Sequence, residues 1–399
     1  MGMNVNLSRL ARIAKKKSRL IIGLMSGTSM DGLDIALCKI TGHGLKTVLE
    51  LKHFATIPYS DETKSRMLEV FAKKQVDFVK LSNLNPWIGR LHGQMVTDCL
   101  KKWKVKNSSV DVIASHGQTV MHAPAFLHPE DPINSTFQIG DGDHIAQSTG
   151  IITISDFRQK HIAAGGEGAP LAVYGDFFLL SDKKENRILL NIGGIANFTF
   201  LPAGKRAAKV FVTDTGPGNT LVDQIIRNNF PGKYYDYDAE LASKGKVNES
   251  LLEVLKSDSF FRLPLPRTIG PELFNIDYVR KAQKNSKTES LSVNDLLATL
   301  TRFTAETISE SIKNTIGKQK FAIYVSGGGA HNPLLIKWLK EILGVAQLQN
   351  TSVLGIPGDA KEAILFAVLA NETLVGKLVD FGKRAKIPST HFGKISFPT

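Results

Sequence analysis

Four times in this chain a β-rich apolar run ends in a glycine-rich turn, and no other feature constrains the fold as strongly. The turns are "SGTSMDG" within residues 19–41, "NIGGIAN" within 187–201, "DTGPGN" within 209–230 and "SGGGAHNP" within 320–343. The first two read as hairpins whose glycines serve positive φ or the close approach of a ligand to the backbone. They lie about 170 residues apart, which suggests duplicated halves. The third places Asp214 at the end of a β-branched run, before a Gly-Pro-Gly loop. Asn219 is then positioned to cap a helix with Leu221, Val222, Ile225 and Ile226 on its apolar face. The fourth runs through Gly327, Gly328 and Gly329 to Asn332 as N-cap and Pro333 at the first helical position, a helix start that attracts anions or polar rings. Open α/β sheets hold ligands beyond the carboxyl ends of their strands, so an active site gathered from several of these turns is the expectation.

Between the turns, amphipathic patterns near 61–80, 87–103, 248–256, 291–316 and 359–376 predict helices, and their alternation with strands predicts α/β layers. A chain of 399 residues exceeds one hydrophobic core, so two domains are expected: 20–150, with 384–399 returning to it, and 151–383. No apolar run reaches the ~18 residues of a membrane span. Cys38 and Cys99 form neither a disulfide framework nor a zinc pattern and read as buried thiols of a cytoplasmic protein. Of the net charge of +13, six positive charges fall in residues 1–19, which carry no acidic residue. Leu7, Leu10 and Ile13 there have helical spacing, and the segment reads as a solvated, partly disordered basic extension. No aromatic residue is interleaved with its cations, so no nucleic-acid partner is expected.

No Walker A, HExxH, GxSxG or CxxC pattern occurs, which leaves a phosphate site built from glycine and hydroxyl turns without a loop lysine. In "MSGTSMDG", Gly27 and Gly32 bracket Thr28, Ser29 and Asp31, more than a hairpin turn alone requires. Asp214 reads as a general base held on rigid backbone, or as an Asx-turn residue. Glu362 follows Asp359 by three residues, a capping-box position that needs no substrate. The stretch 155–171, with Asp156, Arg158, His161 and Glu167 among its glycines, reads as a binding loop. His116, Gln118 and His122 lie on a strand end, either as ligands or as satisfied structural groups.

Taken in order, "GLMSGTSMDGLD", "SHGQT", "DFR" with "AAGGEGAPL", "NIGGIAN", "DTGPGN", "SGGGAHNP" and "GIPGDAKEAILFA" resemble the anhydro-N-acetylmuramic acid kinase family of the sugar kinase, Hsp70 and actin superfamily. The resemblance covers residue 20 to the end. It implies a two-domain actin-like, ribonuclease H-like α/β fold with an interdomain cleft. It also implies ATP with Mg²⁺ and a small anhydrosugar as partners, the oligomeric state staying open, a homodimer included. ATP is then expected at Ser26, Gly27, Thr28, Ser29, Asp31, Gly32, Gly193, Gly194, Gly327, Gly328, Gly329 and Asn332, with Asp31 contributing to the metal site. His116, Gln118, Asp156, Arg158, Glu167, Asp214 and Glu362 are expected around the sugar, Asp214 as the base and Glu362 as a sugar-binding carboxylate. Two departures from the family pattern, His161 and Glu167, bear on which anhydrosugar fits. The rival readings are a kinase for another anhydrosugar such as levoglucosan, and a non-catalytic ATP-binding module with a basic docking tail.

Overall fold

In the computed structural model, which describes residues 3–125, 128–269, 273–345, 347–382 and 387–399, the chain divides into two units. Unit 1 comprises Met1–Leu180 and Asp359–Thr399, and unit 2 comprises Ser181–Gly358. In unit 1, β1 (Ser18–Ser26), β2 (Gly32–Thr41) and β3 (Val48–Pro58) form an antiparallel meander. β4 (Val112–Ala123) joins β1 in parallel and carries β5 (Ser135–Ile139) as an antiparallel partner. β6 (Thr153–Ser155) adds in parallel to β4, and the C-terminal strand Lys394–Ser396 closes the edge in antiparallel fashion.

Unit 2 repeats the plan. β7 (Asn186–Ile192), β8 (Ile195–Leu201) and β9 (Phe211–Pro217) form the meander, while β10 (Phe321–Ser326) and β11 (Gln349–Asn350) follow in parallel on the far side of β7. The orders β3-β2-β1-β4-β6 and β9-β8-β7-β10-β11 are one topology used twice, the ribonuclease H-like sheet of the duplicated actin-like fold. The two hairpin turns of the sequence are therefore equivalent, each being the first turn of its unit's meander.

Each unit has its own core. In unit 1, Ile22, Leu24, Ile35 and Leu37 pack with Ile88 and Val96 of the helix Phe78–Lys102. In unit 2, Leu221, Ile225 and Ile226 pack with Leu297, Leu300 and Phe303 of the helix Val293–Ile316. The apolar helix Lys361–Val375 returns to unit 1 and lies against β1 so closely that a Cβ on Gly23 would sit 1.8 Å from Ala363 O.

Four expectations change. The boundary expected near 150 lies after Leu180, because β6 pairs with β4 inside the first sheet. The return to unit 1 begins at Asp359, well before 384; residues 383 and 384, where that edge was placed, lie outside the described residues. Over its described residues, 3–19, the basic extension is folded: Asn4 caps the helix Val5–Lys15, Ile13 is buried, Arg9 donates to Gly150 O and Lys16 pairs with Asp111 at 2.5 Å. The pattern near 61–80 resolves into a short helix, Asp61–Leu68, followed by the helix beginning at Phe78. Cys38 and Cys99 are free and buried.

Candidate functional site

The first hairpin turn divides its side chains into two sets. Thr28, Ser29 and Asp31 are exposed, whereas Ser26, at the end of β1, is fully buried. The turn's glycines have different reasons to be glycine. A Cβ on Gly32 would lie 2.4 Å from Ile57 O, so that position is fixed by packing against β3. Gly27 has neither a positive φ nor a protein atom within 3.4 Å of a would-be Cβ, so its open face is free for a ligand to approach.

Around the turn, unit 1 gathers a charged set. Arg158 Nε donates to His116 Nε2 at 2.7 Å and its Nη1 donates to Gly168 O at 2.8 Å. His116 Nδ1–H donates to Gly117 O, so both ring nitrogens are used, and burial beside Arg158 holds this histidine neutral. Gln118 is fully buried and spends its amide on Ser26, Gly27 O and Thr119 O. His116 and Gln118 are thus spent on hydrogen bonds to neighbouring protein groups. Glu362 is open to water at the start of its helix, and desolvation raises its carboxyl while Arg158 opposes that rise. The capping box does not form: Ala360 is the N-cap, with no side-chain bond, and Glu362 is left for other work. Asp156 takes a left-handed φ of 59° and pairs with Lys394 at 3.0 Å, and Glu167 is exposed on its loop. His161 is buried and accepts from Gly168 N–H, so it shapes this loop from inside.

Asp34, which sequence reasoning passed over, lies half-buried near the turn. Burial raises its carboxyl; a bond from Thr56 opposes this, and Asp359 and Asp31 add to the rise. Among the described residues no group of three or more His, Cys, Asp or Glu is arranged to hold a metal by itself. A lone exposed Asp31 with Asp34 behind it suits a cation that keeps its waters and arrives on phosphate oxygens, as Mg²⁺ does.

In unit 2 the other three turns converge. Gly218 N–H donates to Gly194 O and Asn219 N–H donates to Gly193 O, both at 2.8 Å, stitching the Gly-Pro-Gly loop to the hairpin turn. A Cβ on Gly218 would lie 2.2 Å from Gly193 O, and one on Gly329 would lie 2.3 Å from the Ile192 side chain. Gly327, at φ 82°, would meet Ile192 O. Gly193, Gly194 and Gly328, like Gly27, have ordinary φ and open faces. The result is a glycine wall in which the N–H groups of Gly193, Gly218 and Asn219 are spent on neighbouring carbonyls, while that of Gly194 has no protein acceptor among the described residues. Asn332 caps its helix as expected, its Oδ1 accepting from Leu335 N–H at 2.9 Å. The expected cap at Asn219 differs: its side chain makes no cap bond and turns to Ile192 O. Beside this wall lies a pocket of about 480 Å³, lined by Asn219, Asp223, Tyr235, Tyr237, Thr304, Gly328, His331 and Asn332. That is room for a nucleoside. Burial pushes the Asp223 carboxyl up to about 6.

Asp214 sits within β9 and not at its end, at a bulge opposite Ala196 and Asn197, and β9 is an edge strand. Asp214 keeps Asn197 as its register partner, Thr215 is the extra residue of the bulge, and the Asp214 side chain is half-buried. Oδ2 accepts from Ile269 N–H at 2.8 Å, which leaves Oδ1 without a protein donor among the described residues. Desolvation pushes its pKa up to about 6, against the Ile269 bond and the Arg267 charge. Arg267, with no motif to flag it, stacks over Phe260 at 4.5 Å and braces this strand through Asp214 O and Thr215 O. A carboxylate with one oxygen fixed by Ile269 N–H and its pKa pushed up to about 6 is suited to take a proton from water.

The family model described as anhydro-N-acetylmuramic acid kinase matches residues 19–379. A relative named anhydro-N-acetylmuramic acid kinase from Pseudoalteromonas atlantica is 54% identical over 99% of this chain and 100% of its own length. Relatives of the same name from Pseudoalteromonas translucida and Caldanaerobacter subterraneus are 50% and 39% identical, over 99% and 98% of this chain and 100% of each relative.

Proposed function

The chain belongs to the anhydro-N-acetylmuramic acid kinase family, and from that membership we propose that it opens the 1,6-anhydro ring of 1,6-anhydro-N-acetylmuramic acid with water and phosphorylates the released O6 at the expense of ATP. The product would be N-acetylmuramic acid 6-phosphate, a step in peptidoglycan recycling and amino sugar metabolism. The observation that carries the reading is Asp214, with its raised pKa and one oxygen that has no protein donor among the described residues. Asp214 takes a proton from water as the water oxygen bonds to C1. The C1–O6 bond breaks, and O6 attacks the γ-phosphorus as ADP leaves.

Phosphoryl transfer needs positioning and charge neutralisation more than covalent chemistry. The open glycine of each hairpin turn, Gly27 in unit 1 and Gly194 in unit 2, offers a backbone N–H group suited to a phosphate. Thr28 and Ser29 add hydroxyls, and the unit 2 pocket receives the nucleoside. Mg²⁺, bound with ATP near Asp31, would neutralise phosphate charge. Arg158 and Glu362, with Asp156 and Glu167 on the same unit, hold the sugar, and His116 and Gln118 orient this set.

Identity of 54% across 99% of the chain supports the muramic sugar over levoglucosan as substrate. A coupled ADP-release assay tests this. Rapid turnover with the anhydromuramic sugar and slow turnover with levoglucosan is expected, and the reverse order would overturn the substrate assignment.

A further inference from the structure

Behind the first hairpin turn lies a buried chain of polar groups, two of which, His92 and Tyr59, have no role in the proposed reaction. His92 Nε2 is 2.7 Å from Tyr59 Oη, which is 2.8 Å from Ser26 Oγ, which is 2.5 Å from Gln118 Oε1. Relative exposure is 0% for His92, Ser26 and Gln118 and 4% for Tyr59, so the chain is shielded from bulk solvent. His92 comes from the long helix of unit 1, Tyr59 follows β3, and Ser26 and Gln118 are register partners on β1 and β4.

Counting protons fixes the direction of every bond. Gln118 Nε2 faces two carbonyl oxygens, Gly27 O at 3.1 Å and Thr119 O at 3.0 Å, so its amide nitrogen must be there and its Oε1 must face Ser26. Ser26 therefore donates to Gln118 and has only its lone pairs left for Tyr59. Tyr59 spends its single proton on Ser26 and must accept from His92, which requires the neutral Nε2–H tautomer. Among the described residues His92 Nδ1 has no partner, and in this tautomer it is a bare lone pair, cheaper to bury than the N–H of the alternative. Burial lowers the pKa of His92 to about 3, in keeping with a ring that stays neutral.

The same residues grip the turn at three points. Ser26 is held by its side chain, Gly27 O by Gln118, and Asp31 O by the Tyr59 N–H at 3.1 Å. We propose that His92 and Tyr59 are positioning residues for the phosphate-binding turn: a one-way chain of donors, His92 to Tyr59 to Ser26 to Gln118, holds residues 26–31 in the shape that presents their backbone N–H groups to ATP. Ser26, whose proton is already spent, is a member of that brace and not a phosphate ligand. The inference rests on the proposed role of the turn in ATP binding.

The test is calorimetric titration with MgATP in the absence of sugar, so that it is independent of which sugar is the substrate. Tyr59→Phe and His92→Phe are expected to raise the Kd for ATP by about tenfold, while His92→Gln, whose Nε2 can donate from the same place, stays within about threefold of wild type. The KM for the sugar is expected to be unchanged in all three. Normal ATP affinity in folded Tyr59→Phe and His92→Phe, or equal losses in His92→Gln and His92→Phe, would overturn the proposal. Should the phenylalanine variants not fold, nitrogen-15 NMR of histidine-labelled wild type decides. A neutral ring protonated on Nε2 from pH 5 to 9 is expected, and an Nδ1–H tautomer would refute the chain. Loss of ATP affinity in the variants of an enzyme that phosphorylates no anhydrosugar would leave this inference standing and defeat only the substrate reading.

Discussion

Replacing Asp214 with Asn separates chemistry from stability in opposite directions. The amide retains the shape and an oxygen to accept from Ile269 N–H, but it cannot take a proton from water. Turnover is expected to fall by ~10² or more, with ATP and sugar affinities little changed. Stability should move the other way. The carboxyl is pushed from 3.8 up to about 6 mainly by desolvation, so the folded state holds this proton more tightly than the unfolded chain does. The resulting cost of ionised Asp214 is absent below the unfolded value, grows as pH rises, and is complete above about pH 6. Its full size is at most ~3 kcal/mol, and water access to the half-buried side chain reduces it. For a unit of this size, that limit corresponds to a gain in Tm of roughly 5–10 °C for Asp214→Asn at pH 8. The gain should shrink as pH falls from 6 towards 4. Differential scanning calorimetry at pH 8 and pH 4.5, beside steady-state assays, provides the check. Near-wild-type turnover, or a Tm at pH 8 no higher than wild type, would refute the reasoning.

The two kinds of glycine should respond differently to alanine. Gly218→Ala forces a contact with Gly193 O and is expected to destabilise the protein by ~1–3 kcal/mol in a denaturant titration, whereas Gly194→Ala should leave stability within ~0.5 kcal/mol and raise the KM for ATP. Glu362→Gln removes a charge facing Arg158 and should raise the sugar KM by about tenfold, the worth of one charge-assisted hydrogen bond, with the KM for ATP unchanged in initial-rate assays. Deleting residues 1–15 uncovers the site of Ile13 and breaks the Arg9 and Asn6 bonds to unit 1. It should cost ~1.5–3 kcal/mol in thermal stability without lowering kcat.

What could be read from the sequence was local chemistry. Glycine turns closing apolar runs, and Asn332 with Pro333 opening a helix, depend on neighbouring residues alone, and both occur where the sequence places them. Side-chain direction depended on partners far along the chain. Ser26 and Gln118 look like ligands by composition, yet the β1–β4 register brings their side chains together inside the sheet. Tyr59 and His92, 33 residues apart, have no shared motif and meet only because the long helix crosses the sheet. Asp214 was expected at a strand end because a Gly-Pro-Gly loop follows. The bulge that extends pairing to Pro217 is a property of two strands together. The boundary near 150 misplaced β6, whose three residues carry too short a pattern to announce a partner in β4.

The central claim is that solvent oxygen enters at C1 while the original O6 receives the phosphoryl group. Running the reaction with ATP and 1,6-anhydro-N-acetylmuramic acid in ¹⁸O-enriched water, followed by mass spectrometry and NMR of the product, tests it directly. The account predicts a 6-phosphate sugar with one ¹⁸O at the C1 hydroxyl and none in the phosphate ester. Label in the phosphate group, or a phosphorylated product whose C1 oxygen is unlabelled when it is first formed, would contradict it.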